Sequence, residues 1–201
     1  MIVYKKDGAW ATELNPDINP KIRINKMYEG LLSEVKNKKD IEYIKTNLQD
    51  AKFFLKALNN RNITIHKVAK VIMKKQEDFL VHGEIALKPL VLRDISSILG
   101  LHESTISRST SNKFIQTPRG VYELKYFFSS EISTDYGKKL SSVTIKEMIK
   151  KLINDEDARF PMSDAQISKN FSENGIKVAR RTITKYRESM GISSSTDRRI
   201  K

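Results

Sequence analysis

The chain has 201 residues, with 37 lysine and arginine residues against 24 aspartate and glutamate residues, eight glycines and no cysteine. This length allows one or two compact domains, or three small ones, and the lack of cysteine excludes disulfide frameworks, thiolate metal sites and cysteine nucleophiles. No apolar run approaches the ~20 residues that a membrane-spanning helix needs, and the N-terminal residues lack the profile of a secretory signal. The composition therefore predicts a soluble cytoplasmic protein with no membrane partner.

The positive charge of the chain is concentrated in two stretches. The net charge of +13 favours a polyanionic partner such as nucleic acid. Residues 86–130 carry a net charge of +3 and residues 163–201 carry +5, whereas residues 131–162 between them are neutral. A lysine-rich surface that only confers solubility is the alternative. The distribution indicates two basic units separated by a neutral spacer.

The N-terminal segment has the pattern of a β-hairpin. Residues 2–4 and 9–12 have strand character on either side of a Lys6-Asp7-Gly8 turn. Two prolines follow, and residues 21–24 alternate like a further short strand. The sequence therefore predicts a small β element ahead of the helices.

Helical periodicity begins after this segment. Helices are predicted over residues 27–36, from Asp40 as N-cap to residue 58, and over residues 63–81, with a break at the polar run 59–62. The residues expected on the buried faces of the two longer helices are Ile41, Ile44, Leu48, Ala51, Leu55, Leu58, Ile65, Val68, Ile72 and Phe79.

The segment 94–108 has the spacing of a helix-turn-helix motif. Ser96 is small enough for two helices to cross, and Gly100 can adopt the positive φ that the turn needs. The second helix would place its N-terminal half in a DNA major groove, where arginine, glutamate and serine can bond base edges. The candidate DNA-binding residues are His102, Glu103, Ser104, Ser107 and Arg108. His102 is expected to be a cap or backbone contact rather than a metal ligand, and an ordinary helix pair joined by a glycine turn is the alternative reading.

A polar stretch separates this motif from the second basic unit. Residues 117–120 predict a turn, residues 122–128 are rich in aromatic side chains, and residues 131–142 are the predicted linker. Helices are then expected over residues 143–153, 163–172 and 178–190, followed by a frayed tail.

The last of these helices has a strongly basic face. Ala179, Ile183, Tyr186 and Met190 fall on one stripe and are predicted to be buried. The candidate DNA-binding residues on its other faces are Arg180, Arg181, Thr184, Lys185 and Arg187. Four cations on such a short helix suit phosphate docking and guanine readout, although a solvated amphipathic helix would show the same pattern.

The decapeptide Ala179-Arg180-Arg181-Thr182-Ile183-Thr184-Lys185-Tyr186-Arg187-Glu188 resembles the RpoN box, the signature of the sigma-54 class of bacterial RNA polymerase sigma factors. Eight of its ten residues are those of the usual family string, and Ile183 and Thr184 replace valine and alanine. The stretches 88–95, 102–108, 117–120 and 127–130 resemble the family in the same order and at the family spacing. The resemblance covers nearly the whole chain.

This resemblance implies a mainly α-helical, multi-domain protein with a small N-terminal β-hairpin and two helix-turn-helix-type DNA-binding units. It implies that residues 1–85 bind core RNA polymerase. It further implies that residues 86–130 recognise the minus-12 GC promoter element, and that residues 143–201 form an RpoN-box domain that reads the minus-24 GG element. An ATP-hydrolysing enhancer-binding activator is the remaining implied partner. The glutamine-rich N-terminal region on which activators act has no counterpart in these residues, so we expect a C-terminal fragment or a short member of the family.

Two other functional classes fit parts of the sequence. A stand-alone regulator with tandem helix-turn-helix units would bind DNA without polymerase. An enzyme such as a recombinase is disfavoured, because the sequence has no glycine-rich phosphate loop, clustered histidines or catalytic carboxylate pattern. The acidic run 155–157 is expected to be solvated. We therefore expect no catalytic residues, no metal site and no cofactor.

Overall fold

The computed structural model describes residues 1–17, 22–28, 30, 35–129, 131–134 and 139–200. These residues are mainly helical, as predicted, with a small sheet that includes the N-terminal strands. The helices are α1 (Lys38–Lys75), α2 (Glu77–His82), α3 (Leu92–Leu99), α4 (Glu103–Thr110), α5 (Ser142–Asn154), α6 (Asp164–Glu173), α7 (Arg180–Ser189) and α8 (Ser195–Arg198). The strands are β1 (Ile2–Lys6), β2 (Ala9–Glu13), β3 (Phe114–Thr117), β4 (Gly120–Glu123), β5 (Glu131–Ser133) and β6 (Lys139–Ser141). Two 3-10 turns cover Glu84–Ala86 and Leu124–Phe127.

The predicted N-terminal hairpin is confirmed, and it belongs to a larger sheet with the strand order β2-β1-β3-β4. Asp7 and Gly8 have φ values of 48° and 84°, which the tight turn between the strands requires. β1 also pairs in parallel with β3, where the Gln116 N–H donates to the Met1 carbonyl at 2.8 Å. β3 and β4 flank the turn predicted at residues 117–120. The sequence pattern indicates the turn but not the two short strands that flank it. The pairing of β3 with β1 has no local signal, because Ile2 and Gln116 lie more than a hundred residues apart.

The long helix α1 is continuous, so the predicted break at residues 59–62 is wrong. Asparagine and arginine lower helix propensity by at most about 0.7 kcal/mol each relative to alanine, and packing on the C-terminal side of this run outweighs that cost. The helix begins earlier than predicted, with Asn37 rather than Asp40 as N-cap; the Asn37 side chain accepts the Lys39 N–H at 3.1 Å.

Two predictions concern the segment before α1. Ile22, Arg23 and Ile24 have no regular secondary structure, so the strand predicted at residues 21–24 is wrong where it is described. Of the helix predicted over residues 27–36, Met27, Tyr28 and Gly30 are helical, Val35 and Lys36 are not, and the rest lies outside the described residues.

The first hydrophobic core joins the N-terminal sheet, α1 and the α3–α4 pair. Val3 of β1, Ile72 of α1, Phe79 of α2, Ile106 of α4 and Phe127 of the second 3-10 turn are all buried in it. The predicted buried residues of the C-terminal half of α1 and of α2 are confirmed. Along the N-terminal half of α1 the predicted stripe is present, but its members are half-buried except for the buried Leu48. Residues 1–85 and residues 86–130 thus share one core.

The second hydrophobic core is built from α5, α6 and α7 and includes Ile145, Ile149, Ile167 and Ile183. The segment predicted as a linker contains the antiparallel strands β5 and β6 among its described residues, and Thr134 next to β5 forms a bridge to Ile176 in this unit.

The described part of the C-terminal tail, up to residue 200, is held in place, so the prediction of a frayed tail is wrong there. Arg198 of α8 donates from Nε and Nη2 to the two carboxylate oxygens of Glu156 at 2.7 and 3.2 Å, and the two side chains are only 13% and 7% exposed. Arg198 also donates to the carbonyls of Met162 and Ser193 at 3.0 and 2.6 Å. The prediction that Glu156 is solvated is therefore wrong, because its carboxylate binds Arg198 and anchors the tail.

Candidate nucleic-acid interface

The helices α3 and α4 pack against each other across the predicted glycine turn. Gly100 has a φ of 63°, and its N–H donates to the Ser96 carbonyl at 2.9 Å. The Ser96 hydroxyl donates to the Leu101 carbonyl at 2.6 Å. Ile95 and Ile106, one from each helix, are fully buried. These contacts hold α4 at a fixed angle to α3 and confirm the geometry predicted for Ser96 and Gly100.

The exposed side of α4 contains most of the side chains predicted to contact DNA in this unit. Glu103, Ser104 and Arg108 are exposed. His102 is the N-cap residue, and its Nδ1 accepts the Ser104 N–H at 3.2 Å, as the sequence indicates. Ser107 is half-buried. The structure thus places Glu103 and Ser104 at the start of α4, where the Ser104 hydroxyl lies 2.8 Å from Nδ1 of the capping His102, and Arg108 in the last turn of the same helix.

The helices α6 and α7 form a second pair. Its start has the predicted capping box, in which the Ser163 N–H donates to Gln166 Oε1 at 2.8 Å and Ser163 Oγ accepts the Gln166 N–H at 3.3 Å. The Ser168 hydroxyl donates to the Val178 carbonyl at 2.7 Å. Ser96 makes the same kind of bond in the first pair, so both pairs use a serine of the first helix to hold the chain that leads into the second.

The exposed side of α7 is strongly cationic. Arg180, Arg181 and Lys185 are exposed and, with Thr184 and Glu188, line one open groove. Guanidinium and ammonium groups on one accessible surface can bond phosphate oxygens and the acceptor atoms of guanine.

The buried side of α7 differs from the predicted stripe at two positions. Ile183 is fully buried, as predicted, whereas Tyr186 and Met190 face the same core but are only half-buried. Ala179 is instead an exposed N-cap residue. Arg187 is buried, with 6% of its surface exposed. A helical wheel places Arg187 on the flank of the stripe and gives no reason to bury a guanidinium group there.

The reason for this burial is an internal ion pair. Arg187 donates from Nε and Nη2 to the two carboxylate oxygens of Asp164 at 2.9 and 3.1 Å, and from Nη1 to the Ile192 carbonyl at 2.7 Å. The Thr184 hydroxyl donates to the same carboxylate at 2.8 Å. These bonds tie α7 to the first residue of α6. The position of Arg187 is therefore at odds with the expectation that it holds DNA phosphates, and Thr184 is partly committed in the same way.

The ion pair also changes the protonation equilibria of its members. Hydrogen bonds from Arg187, and then from Thr184, hold the pKa of Asp164 below its usual range, although partial burial acts in the opposite direction. The bond to Asp164 raises the pKa of Arg187. Both groups are therefore charged at neutral pH, and the pair is intact under physiological conditions.

One basic residue outside both basic stretches lies beside α4. Arg61 comes from the middle of α1, yet it lines a groove of about 260 Å³ together with Thr105, Arg108 and Ser109. Two guanidinium groups and two hydroxyl groups are suitable donors to phosphate oxygens. The sequence contains no signal for Arg61, because the two arginines are far apart in the chain. Thr105 could have been predicted in the same way as Ser104, because both lie in the N-terminal half of α4.

Other kinds of site have little support. Within the described ranges, no three histidine, aspartate or glutamate side chains are arranged to hold a metal ion. Among the same residues, no helix combines the length and the apolar character needed to cross a membrane.

The comparisons with known proteins agree with the resemblance seen in the motifs. The sequence profile of the family described as "Sigma-54, DNA binding domain" matches residues 41–200. The RNA polymerase sigma-54 factor of Vibrio anguillarum is 50% identical over 197 residues, which are 98% of this chain and 40% of that protein. The corresponding factor of Acinetobacter guillouiae is 48% identical over 200 residues, which are 100% of this chain and 42% of that protein. This chain thus spans about two fifths of the length of these relatives.

A solved structure is also similar. The crystal structure of Aquifex aeolicus sigmaN bound to promoter DNA has 37% sequence identity and a TM-score of 0.62, and the match covers 98% of this chain and 59% of that one. Because the family profile covers most of the chain and the identity to the sigma-54 factors is close to one half, the resemblance predicted from the RpoN box is confirmed, and this chain belongs to the sigma-54 family.

Proposed function

We propose that this chain is the promoter-binding portion of a sigma-54-type transcription initiation factor, acting in the cytoplasm without catalysis of its own. It would use two helix-turn-helix-type units, α3–α4 and α6–α7. The observation that carries the proposal is the division of α7 into a buried side, fixed by Ile183 and the Arg187–Asp164 pair, and an exposed side with Arg180, Arg181 and Lys185. The similar Aquifex aeolicus sigmaN is bound to promoter DNA, which supports promoter binding by this chain.

The side chains of α7 differ in whether they would contact bases, contact phosphates or support the helix. Arg181 and Arg180 combine a fixed fork of donors with the reach to bind O6 and N7 of guanine, so the minus-24 GG element is their target. Lys185 has a compact charge without a fixed fork and would hold a phosphate. Thr184 and Arg187 would support the helix through Asp164 rather than meet the DNA.

On α4, Arg108 and Glu103 are the candidates for reading the minus-12 GC element, since arginine can bond guanine and glutamate can accept from cytosine. Ser104 can bond either base. His102 and Ser107 would shape the helix start, and Arg61 would join Arg108 in holding a phosphate at the edge of this helix.

Core RNA polymerase is the proposed protein partner of the N-terminal half. Tyr43 and Phe54 on α1 line one open groove and are 71% and 57% exposed, and exposed apolar patches of this kind mark protein interaction surfaces. Removing residues 1–85 would not test this role, because the deletion would also remove half of the first core. The better variant is Tyr43→Ser combined with Phe54→Ser, which should reduce polymerase retention and leave duplex binding unchanged. An enhancer-binding activator is a further partner suggested by the family.

The test of the proposed function is binding to a duplex that contains the GG and GC elements, with and without core RNA polymerase. The proposal requires preference for this duplex over one with both elements replaced, and a ternary complex with polymerase. Preference without any polymerase binding would favour the stand-alone tandem regulator. Equal binding to both duplexes would contradict the assignment of base-reading residues.

A further inference from the structure

The start of α5 is attached to the first core unit by a fully buried hydroxyl group. Thr144 lies in the first turn of α5, and its Oγ1 is 3.0 Å from the Leu87 carbonyl oxygen and 3.2 Å from the Glu84 carbonyl oxygen. Thr144 and the N-cap residue Ser141 both have no exposed surface. The two carbonyls belong to the segment around the first 3-10 turn, which precedes α3.

The hydrogen bonds at this contact form one network that uses the hydroxyl protons of both Thr144 and Ser141. Carbonyl oxygens can only accept, so the single hydroxyl proton of Thr144 is donated to the Leu87 and Glu84 carbonyls. Ser141 Oγ accepts the Thr144 N–H at 3.0 Å. Because the Thr144 proton is directed to the carbonyls, the Ser141 hydroxyl is the donor in its 2.8 Å bond to Thr144 Oγ1. Losing the Thr144 hydroxyl would leave buried polar groups without partners, which is costly in a dry interior.

The receiving segment is itself held in place. The side chain of Gln76, which is fully buried, donates to the Lys88 carbonyl at 2.7 Å and accepts the Lys88 N–H at 3.0 Å. Leu87 and Phe79 on either side are part of the first core. The two carbonyls therefore have a fixed position relative to α3 and α4.

Helix α5 takes part in both cores. Val143 packs against the first core, whereas Ile145 and Ile149 are buried in the second. α5 also packs directly against α7 and against the first 3-10 turn. The first core, on which α4 packs, is thus connected through α5 to α7, the helix that contains Arg181.

We propose that Thr144 is a positioning residue that fixes the separation and rotation of α7 relative to α4, so that the chain prefers one spacing between two DNA elements. This inference rests on the proposed function of the two helices. One base pair changes the separation by ~3.4 Å and the rotation by about a tenth of a turn. A rigid connection cannot follow both changes, whereas a flexible tether can.

The first experiment measures affinity for duplexes in which the GG and GC elements are separated by the best spacing and by one and two base pairs more or fewer. The unmodified chain should lose about tenfold or more in affinity when the spacing changes by two base pairs, which corresponds to ~1.4 kcal/mol. Thr144→Val should lose less than about threefold over the same range, with affinity for a duplex containing only one element unchanged. Thr144→Ser keeps the hydroxyl and should keep the preference.

A matched control separates positioning from stability. Thr117 is also buried, and its hydroxyl donates to the Gly120 carbonyl at 2.9 Å within the β3–β4 turn, a group that makes no bond to Thr144. Thr117→Val should lose stability and retain the spacing preference. An unchanged spacing preference in Thr144→Val, or tighter binding of that variant at every spacing, would overturn the proposal. If Thr144→Val does not fold, Val143→Ser tests the same contact by weakening its apolar part.

A second experiment needs no DNA. The chain has no cysteine, so spin labels can be placed through Glu77→Cys on α2 and Lys169→Cys on α6, both at exposed positions. The distance distribution between them should be narrow in the unmodified chain and broad with Thr144→Val. A chain with a narrow distribution but no preference for either element would contradict the proposed function alone. A broad distribution in the unmodified chain would overturn the role of Thr144 even if both elements are read.

Discussion

The assignment of Arg187 as a structural residue predicts an effect that differs from that of its neighbours on α7. In Arg187→Met, a side chain of similar length remains, but three hydrogen bonds are lost, two of them to a carboxylate. Removing one member of a buried ion pair costs about 3–5 kcal/mol. The Asp164 side chain is 15% exposed and can regain some water, so we expect the lower end, about 3 kcal/mol of unfolding free energy.

The assay is urea unfolding of the full chain, followed by DNA affinity under conditions in which each variant is folded. Arg187→Met should lose about 3 kcal/mol of stability and keep its affinity for the promoter duplex. Lys185→Met is the matched control, because it removes one exposed cation from the same helix; its stability should change by less than about 0.5 kcal/mol while DNA affinity falls. If Arg187→Met were as stable as the unmodified chain and bound DNA as weakly as Lys185→Met, the structural assignment would be refuted.

Three further predictions follow from the site and the tail. Because the folded-state pKa of Asp164 is lowered, the stability it contributes is fully present above its unfolded pKa near 4 and is lost as the pH falls through the folded value; Asp164→Asn should remove this part of the acid dependence, measured by unfolding at pH 2–7. Arg108→Ala should cost about 1–3 kcal/mol on the matched duplex if it bonds a base, whereas an equal loss on random DNA would reassign Arg108 to a phosphate. Arg198→Ala should destabilise the second core by about 3–5 kcal/mol in urea, and no change would mean that the pair with Glu156 does not hold the tail.

Local signals predicted the helix pairs well. Small or flexible residues are needed where helices cross and turn, so the roles of Ser96 and Gly100 could be predicted from the sequence. The capping box at Ser163 was predicted from its residue spacing. The exposed positions of Arg181 and Lys185 also followed, because the buried side of α7 is set by Ile183 at helical spacing.

Non-local contacts explain what the sequence did not predict. Strand β3 joins the N-terminal sheet because β1 lies beside it, and the polar run in the middle of α1 stays helical because the helix is packed beyond it. Arg187 is buried only because Asp164 meets it from another helix. Arg61 lies beside Arg108 of α4 only because the fold brings the middle of α1 next to that helix. In each case the contacting residue comes from a distant part of the chain, so the hydrophobic periodicity of one segment cannot reveal it.

The central claim is that the exposed side of α7 reads bases as well as holding phosphates. The most direct measurement is the affinity of the unmodified chain, Arg181→Ala and Lys185→Ala for matched and GG-substituted duplexes across a salt series. The account predicts that Arg181→Ala removes most of the discrimination between the duplexes, whereas Lys185→Ala weakens both equally and lowers the salt slope by about one unit. If Arg181→Ala weakened binding to both duplexes by the same factor, α7 would be a phosphate clamp and the claim would be contradicted.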